Sequence, residues 1–300
     1  MDIQKFEALL TAIDAGTITK AASSLGYTQS AISHAIHSLE NEFNVRLLSR
    51  CHAGVELTPT GEMLIPYIRN VANAFREFEN KVADINNINC GQVRIGTFTS
   101  VAVNWLPNIL NSFQQYYPNI NFEIKQGNYA EIAEWILQGS IDCGFTITPS
   151  LCGLKNIILF EDRLFLIYPP DHPLASKETI YPEDLAEYPF ILVNEGRAPI
   201  IRNFFEDRNI KLKIQYHVVD DYATIAMVES HLGISVCPEL FFYRLPYNVS
   251  HRPIETDFRR KISISYKKNY ILAPAVKQFI SYVQSWARNN LTPLDANPLF

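Results

Sequence analysis

Apolar residues recur through the first 43 positions at intervals of three and four, interrupted by two glycine-bearing turns. Ile3, Phe6, Leu9, Leu10 and Ile13 mark an amphipathic helix over 2–14 that Ala15-Gly16 ends. Thr17 supplies a cap for a second helix, "ITKAASSL", which stops at Gly26. Thr28 caps a third, "QSAISHAIHSLENEF", whose Ile32, Ala35, Ile36, Leu39 and Phe43 form the inward stripe. Its opposite face carries Gln29, Ser30, Ser33, His34 and His37 at one-turn intervals. Two short helices across a tight glycine turn, the second with a small polar outer stripe, make the helix-turn-helix plan over about 18–37.

The pattern then shortens. "VRLLSRCHAGVEL" reads as a hairpin or wing. In "TPTGE", Thr58 caps a new helix and Pro59 takes its first position, where a missing N–H costs nothing. From there Leu64, Ile68, Val71, Phe75, Phe78, Val82 and Ile85 alternate by four and three, a heptad seam. An intramolecular amphipathic helix is the competing reading, but the strict alternation favours a helix that pairs with a second protomer. Pro66 is expected to kink its first turns.

"NNINCG" over 86–91 is a polar linker, and beyond it the period changes to two. "QVRIGTF", "INFEIKQ" and "IDCGFTI" read as strands, separated by a helix from Ser100 to Tyr117 and another at "AEIAEWILQG". This β-α-β-α-β alternation signals a parallel sheet covered by helices. After the loop "TPSLCGLKN" come strands "LFLIY", "FILVN", "IQYHVV", "GISVCP" and "KISISY". Helices are expected near "PEDLAE", "PIIRNFFEDR" and "YATIAMVESH", with a last one over 274–289. The chain is therefore α+β overall: 1–58 a DNA-binding head, 59–88 a linker helix, and 89–300 a two-lobed α/β domain. Lobe I spans about 91–162 and 268–300, lobe II about 163–267.

Charge complicates that picture. The net charge is −5, and in the first 60 residues Lys5, Lys20, Arg46 and Arg50 face Asp2, Glu7, Asp14, Glu40, Glu42 and Glu56. Bulk electrostatics thus argue against a nucleic-acid partner, and a DNA reading must rest on shape and motif. The start "MDIQKFEALLTAID" has no basic region followed by a long apolar run, and no stretch reaches the ~18 apolar residues a membrane span needs. Cys51, Cys90, Cys143, Cys152 and Cys237 are scattered without a C-x-x-C, which suits a reducing cytoplasm. No G-x-S-x-G, P-loop, H-E-x-x-H or G-x-G-x-x-G is present, so no enzymatic activity, metal or cofactor is expected. No basic neighbour lowers a thiol pKa, which disfavours redox sensing. A stand-alone solute-binding protein would use only 91–300, would need export, and would leave residues 1–90 without purpose.

At this point the chain resembles the LysR-type transcriptional regulators. Phe6, "AGTITKAASSLGYTQSAISHAIHSLE", Leu47-Leu48-Ser49-Arg50 and "LTPTG" carry the likeness in the N-terminal third. "GQVRIG", "IDCGF" and "LGISVCPE" extend it through the rest. The resemblance implies a winged helix-turn-helix, a dimerising linker helix and an effector-binding domain similar to type 2 periplasmic binding proteins. It further implies a homo-oligomer, a dimer of dimers, on double-stranded promoter DNA, a small-molecule effector and RNA polymerase as a further partner. The family's recognition helix usually carries arginine or lysine where this chain has His34 and His37, and its wing adds a basic residue where Cys51-His52-Ala53-Gly54 follows Arg50.

Base edges are read by hydrogen bonds and small apolar contacts, so a segment without fixed positive charge is still able to read DNA. Gln29 suits an adenine, Ser30 and Ser33 allow close approach, and the helix starts at Thr17 and Thr28 suit phosphates, as do Lys20, Arg46 and Arg50. Partial protonation of His34 and His37 is expected to strengthen binding as pH falls towards ~6.5. Between the lobes, Thr99, Ser100, Asn128, Thr146, Asn194 and Arg197 follow strand ends and are the candidate effector residues. The resemblance favours Thr99 and Ser100, and Arg197 is the candidate anchor for a carboxylate effector, although Glu195 stands beside it.

Overall fold

The computed structural model describes residues 2–51, 54–85, 91–193 and 200–291, in two compact units. The first is built on residues 1–88. Its α1 (Ile3–Ala15) opens at Asp2, whose carboxylate accepts the Gln4 N–H at 3.0 Å, and closes at left-handed Gly16. α2 (Ile18–Leu25) and α3 (Gln29–Phe43) start at Thr17 and Thr28, whose hydroxyls accept the N–H groups of Lys20 and Ala31, each at 3.2 Å. Each cap satisfies a donor that the first helical turn leaves unpaired. Phe6, Leu9, Ile32, Ile36 and Leu39 close one core between the three helices. Phe43, expected on the inward stripe, is instead half exposed and leans on Phe6 with ring centroids 6.4 Å apart. It ends α3, one turn past the last buried position.

β1 (Leu48–Cys51) and β2 (Gly54–Leu57) pair antiparallel as a wing. Gly54 has φ of +139°, and a Cβ there would lie 2.2 Å from the Gly16 carbonyl oxygen. Only glycine lets the wing close onto the α1–α2 turn, where the Val55 N–H donates to that same oxygen at 3.0 Å. α4 (Pro59–Ile85) continues unbroken through Pro66. The heptad seam on it divides. Leu64 and Ile68 join Ile65 and Ala72 on the core of the first three helices, and buried Arg69 holds Asp14 at 3.1 and 2.5 Å. Val71, Phe75, Phe78 and Val82 stay exposed, Phe78 at 63%. The core receives α4 only as far as Ala72, which is why the seam parts there. The Ile85 side chain lies outside the described residues.

In the second unit β3 (Gly91–Thr97), α5 (Thr99–Asn104), α6 (Leu106–Tyr116), β4 (Ile120–Gln126), α7 (Tyr129–Gln138) and β5 (Cys143–Thr148) follow the expected alternation. β3 lies between β4 and β5, parallel to both. The single helix expected from Ser100 to Tyr117 is two, because the chain turns at Trp105 and Pro107, in the first turn of α6, has no N–H to extend α5. β6 (Leu154–Tyr168) begins ten residues before the expected strand and absorbs the end of the expected loop. Lys155, Asn156, Glu161 and Asp162 break the apolar run there and hide its first half.

The second lobe adds β7 (Pro189–Val193), α8 (Ile200–Glu206), β8 (Lys213–Val218), α9 (Asp221–Glu229), β9 (Ser235–Pro238) and β10 (Ser250–Pro253). β11 (Arg259–Lys267) and α10 (Pro274–Asn290) complete the chain. "PEDLAE" forms a 3-10 turn, Pro182–Glu187, too short for an α-helix to propagate. β10, read as loop in the sequence, has no apolar alternation and is a strand only because it lies against the second half of β6. β6 pairs with β11 through 154–163 and with β9 and β10 through 164–168, so one strand serves both lobes. β11 also pairs with β5. Residues 259–267 therefore lie in the first lobe's sheet, not on the lobe II side of the expected boundary. Along β7, Phe190 and Leu192 face one core and Ile191 the other, the period-two signature of a sheet covered on both faces.

Candidate functional site

The exposed face of α3 carries Thr28, Gln29, Ser30 and His34, with Ser33 partly covered. Lys20 on α2 is exposed as well, and the Arg50 side chain lies outside the described residues. His37 is half exposed but does not stand apart on the stripe: its Nδ1 is 3.2 Å from a carboxylate oxygen of buried Glu40. That oxygen also accepts from Arg46 at 3.2 Å, and the other accepts the N–H groups of Leu47 and Leu48 at 2.8 and 3.1 Å. Burial by itself would raise the Glu40 carboxyl, but the two N–H donors, Arg46 and His37 outweigh it and hold the pKa below its ordinary 4.5. One carboxylate on α3 thus fixes where the wing begins. Sequence reading passed over Glu40 because a single acid in a helix carries no local signal of what it binds.

In the second unit a cavity of about 430 Å³ opens where two pairs of parallel strands, β3 with β4 and β7 with β8, end. Phe98 and Thr99 follow β3, Gln126 ends β4 with Gly127 to Tyr129 after it, Val193 ends β7, and Val219 to Asp221 follow β8. Strand ends facing each other across two lobes are where α/β sheets hold ligands. Thr99 lines the wall and its hydroxyl accepts from Gln126 Nε2 at 3.1 Å. Asn128 lines it too, with its side-chain oxygen accepting the N–H groups of Ala130 and Glu131, each at 3.0 Å.

Two expected residues are not on the wall. Ser100, second in α5, turns inward and its hydroxyl accepts from Arg260 at 2.8 Å. Thr146 sits inside β5, buried, with its hydroxyl 2.6 Å from that of Ser265. Asn194 and Arg197 lie outside the described residues.

Behind the wall Arg260 and Asp162 form a fully buried pair, with contacts of 2.8 and 2.5 Å. The guanidinium also donates to the Tyr129 hydroxyl at 2.6 Å and stands 5.3 Å from the Phe98 ring centre. Burial works against the Arg260 charge, but Tyr129 and Asp162 outweigh it and hold the pKa above its ordinary value. Burial pushes the Asp221 carboxyl up to about 6, with Arg260 opposing and Asp220 adding to the shift. Glu131, Asp220 and Asp221 all line the cavity, and no lysine or arginine does among the described residues. The expected carboxylate effector thus meets carboxylates. Asp220 and Asp221 were legible in principle: they follow the strand "IQYHVV" as Thr99 follows "QVRIGTF".

The LysR substrate binding domain model matches residues 87–288, and the model of the bacterial regulatory helix-turn-helix protein, lysR family, matches residues 3–62. The chain belongs to the LysR family. This LysR-family chain is a DNA-binding transcriptional regulator with an effector-binding domain. It is 28% identical to the uncharacterized HTH-type transcriptional regulator YvbU of Bacillus subtilis (strain 168), over 93% of this chain and 97% of that one. Among solved structures, full-length CbnR complexed with its target DNA shares the fold at a TM-score of 0.66 and 21% identity, covering 95% of this chain and 99% of that one. The effector binding domain of QuiR in complex with shikimate matches at 0.62 and 24%, covering 68% of this chain and all of that one. The fold expected from the sequence, winged head, linker helix and two-lobed domain, is shared over nearly the whole chain with full-length CbnR. No helix among the described residues is long and apolar enough to cross a membrane.

Proposed function

We propose that this cytoplasmic LysR regulator reads promoter DNA with the N-terminal half of α3. Gln29, Ser30, Ser33 and His34 meet base edges, while the helix starts at Thr17 and Thr28, with Lys20, Arg46 and Arg50, meet phosphates. His37 contributes by bracing Glu40 and through it the wing. The observation that carries the reading is that α3 exposes a small polar face at its N-terminus while Ile32, Ile36 and Leu39 fix its other face in the core. The exposed seam of Val71, Phe75, Phe78 and Val82 on α4 pairs protomers, and two such dimers bind one promoter. An effector in the cavity between the lobes changes their relative angle, which alters the spacing of the heads on DNA and their contact with RNA polymerase.

Fluorescence anisotropy of the full chain on DNA from immediately upstream of its own coding region tests this, beside a scrambled duplex and a salt series. Sequence-selective binding with a shallow salt slope is expected, and Gln29→Ala should lower the preference by about 1–3 kcal/mol at the base it reads. Equal affinity for the scrambled duplex at every salt concentration would reject the reading.

A further inference from the structure

Both walls of the effector cavity are acidic. Glu131 stands on α7 in the first lobe, and Asp220 and Asp221 stand at the start of α9 in the second. The starts of α7 and α9, which would otherwise attract an anion, are already satisfied by the chain itself. Asp220 accepts the Ala223 N–H at 2.8 Å, Asn128 caps α7, and Glu131 accepts the Asn128 N–H at 2.8 Å. The nearest described guanidinium, Arg260, is no substitute anchor, because Asp162 neutralises it and it lies buried behind the wall.

A second feature points the same way. Phe98 and Tyr129 line the cavity edge-to-face, ring centroids 4.9 Å apart, and aromatic faces attract cations. We infer that the effector of this regulator carries a cationic nitrogen, an amine or amidine, bound between Glu131 and the Asp220-Asp221 pair against the Phe98 and Tyr129 rings. A cavity of about 430 Å³ suits a ligand of metabolite size. With carboxylates on both lobes, one cation draws the lobes together, whereas the empty cavity holds like charges facing each other. The inference rests on the reading of this cavity as the effector site.

The test is calorimetric titration of the full chain with probes matched in skeleton and opposite in charge: putrescine with succinate, and benzylamine with benzoate. At concentrations up to about 20 mM, each amine should bind about 10-fold or more tightly than its carboxylate twin. The preference should vanish in Asp220→Asn/Asp221→Asn, where asparagine keeps the α9 cap. Far-UV circular dichroism verifies that the variant is folded, and DNA anisotropy is read on the same samples. Tighter binding of the carboxylates overturns the cationic assignment and leaves the cavity as the effector site. Silence from both amines overturns it too, and the anisotropy on those samples then shows separately whether the regulator reading stands.

Discussion

Glu40 ties α3 to the start of the wing through both of its carboxylate oxygens. Its carboxylate satisfies two backbone donors at the start of the wing, so Glu40→Ala leaves the Leu47 and Leu48 N–H groups without their acceptor. A loss of about 2–4 kcal/mol is expected, read as faster hydrogen exchange in peptides spanning 45–58. Unchanged exchange there would rule out the bracing role. Because the folded pKa lies below 4.5, the stabilisation is complete above that value and is lost as the pH falls through the lower folded value. Asp221 has the opposite sign. Its folded carboxyl is pushed up to about 6 against an ordinary 3.8, so stability is full below 3.8, falls as the pH rises from there, and the cost is complete above about 6. Asp221→Asn should therefore stabilise the second unit by about 2 kcal/mol at about pH 8 and change little at about pH 4, as thermal midpoints will report. A midpoint equally insensitive at both pH values would contradict the buried, raised carboxyl. At this scale the caps Thr17, Thr28 and Thr58 were legible because a cap acts on residues two or three along the chain. Glu40 was not, because its backbone partners lie beyond the end of its own helix, and Arg260 was not, because Asp162 stands 98 positions away.

Among the elements, the wing depends on one backbone position. Gly54→Ala places a Cβ against the Gly16 carbonyl and demands a φ that alanine rarely adopts. The expected result is a head weakened by about 2 kcal/mol, with DNA affinity reduced while the helical signal in circular dichroism is retained. Wild-type affinity in that variant would mean the wing does not need its seat on the α1–α2 turn. Periodicity located every α-helix of the head within a residue or two, since each one faces a single core. It failed where neighbours rather than pattern decide. β10 has no apolar alternation and exists through its pairing with β6, and the polar first half of β6 is a strand because β11 lies beside it. The break at Trp105 was written in the sequence as Pro107, but the apolar run across it outweighed that signal.

For the whole molecule, the divided seam of α4 makes a quantitative claim about assembly. Leu64 and Ile68 serve the head's own core, so the proposed pairing uses Val71 and the residues beyond it. Phe75→Glu/Phe78→Glu should shift the sedimentation coefficient to that of a monomer and weaken promoter binding by about 100-fold through lost avidity. Retention of the dimer in that variant would move the interface elsewhere. The sequence by itself determined the helix-turn-helix, the linker helix and the β-α-β-α-β start of the effector domain, because caps, glycine turns and apolar spacing act over a few residues. Only the tertiary structure decided that β6 serves both lobes and β11 joins the first lobe's sheet, and that Arg260 is matched by Asp162 98 positions away. It also decided that Ser100 and Thr146 turn from the cavity while Glu131, Asp220 and Asp221 line it. Those outcomes depend on which strand ends meet in space, and no local pattern encodes that.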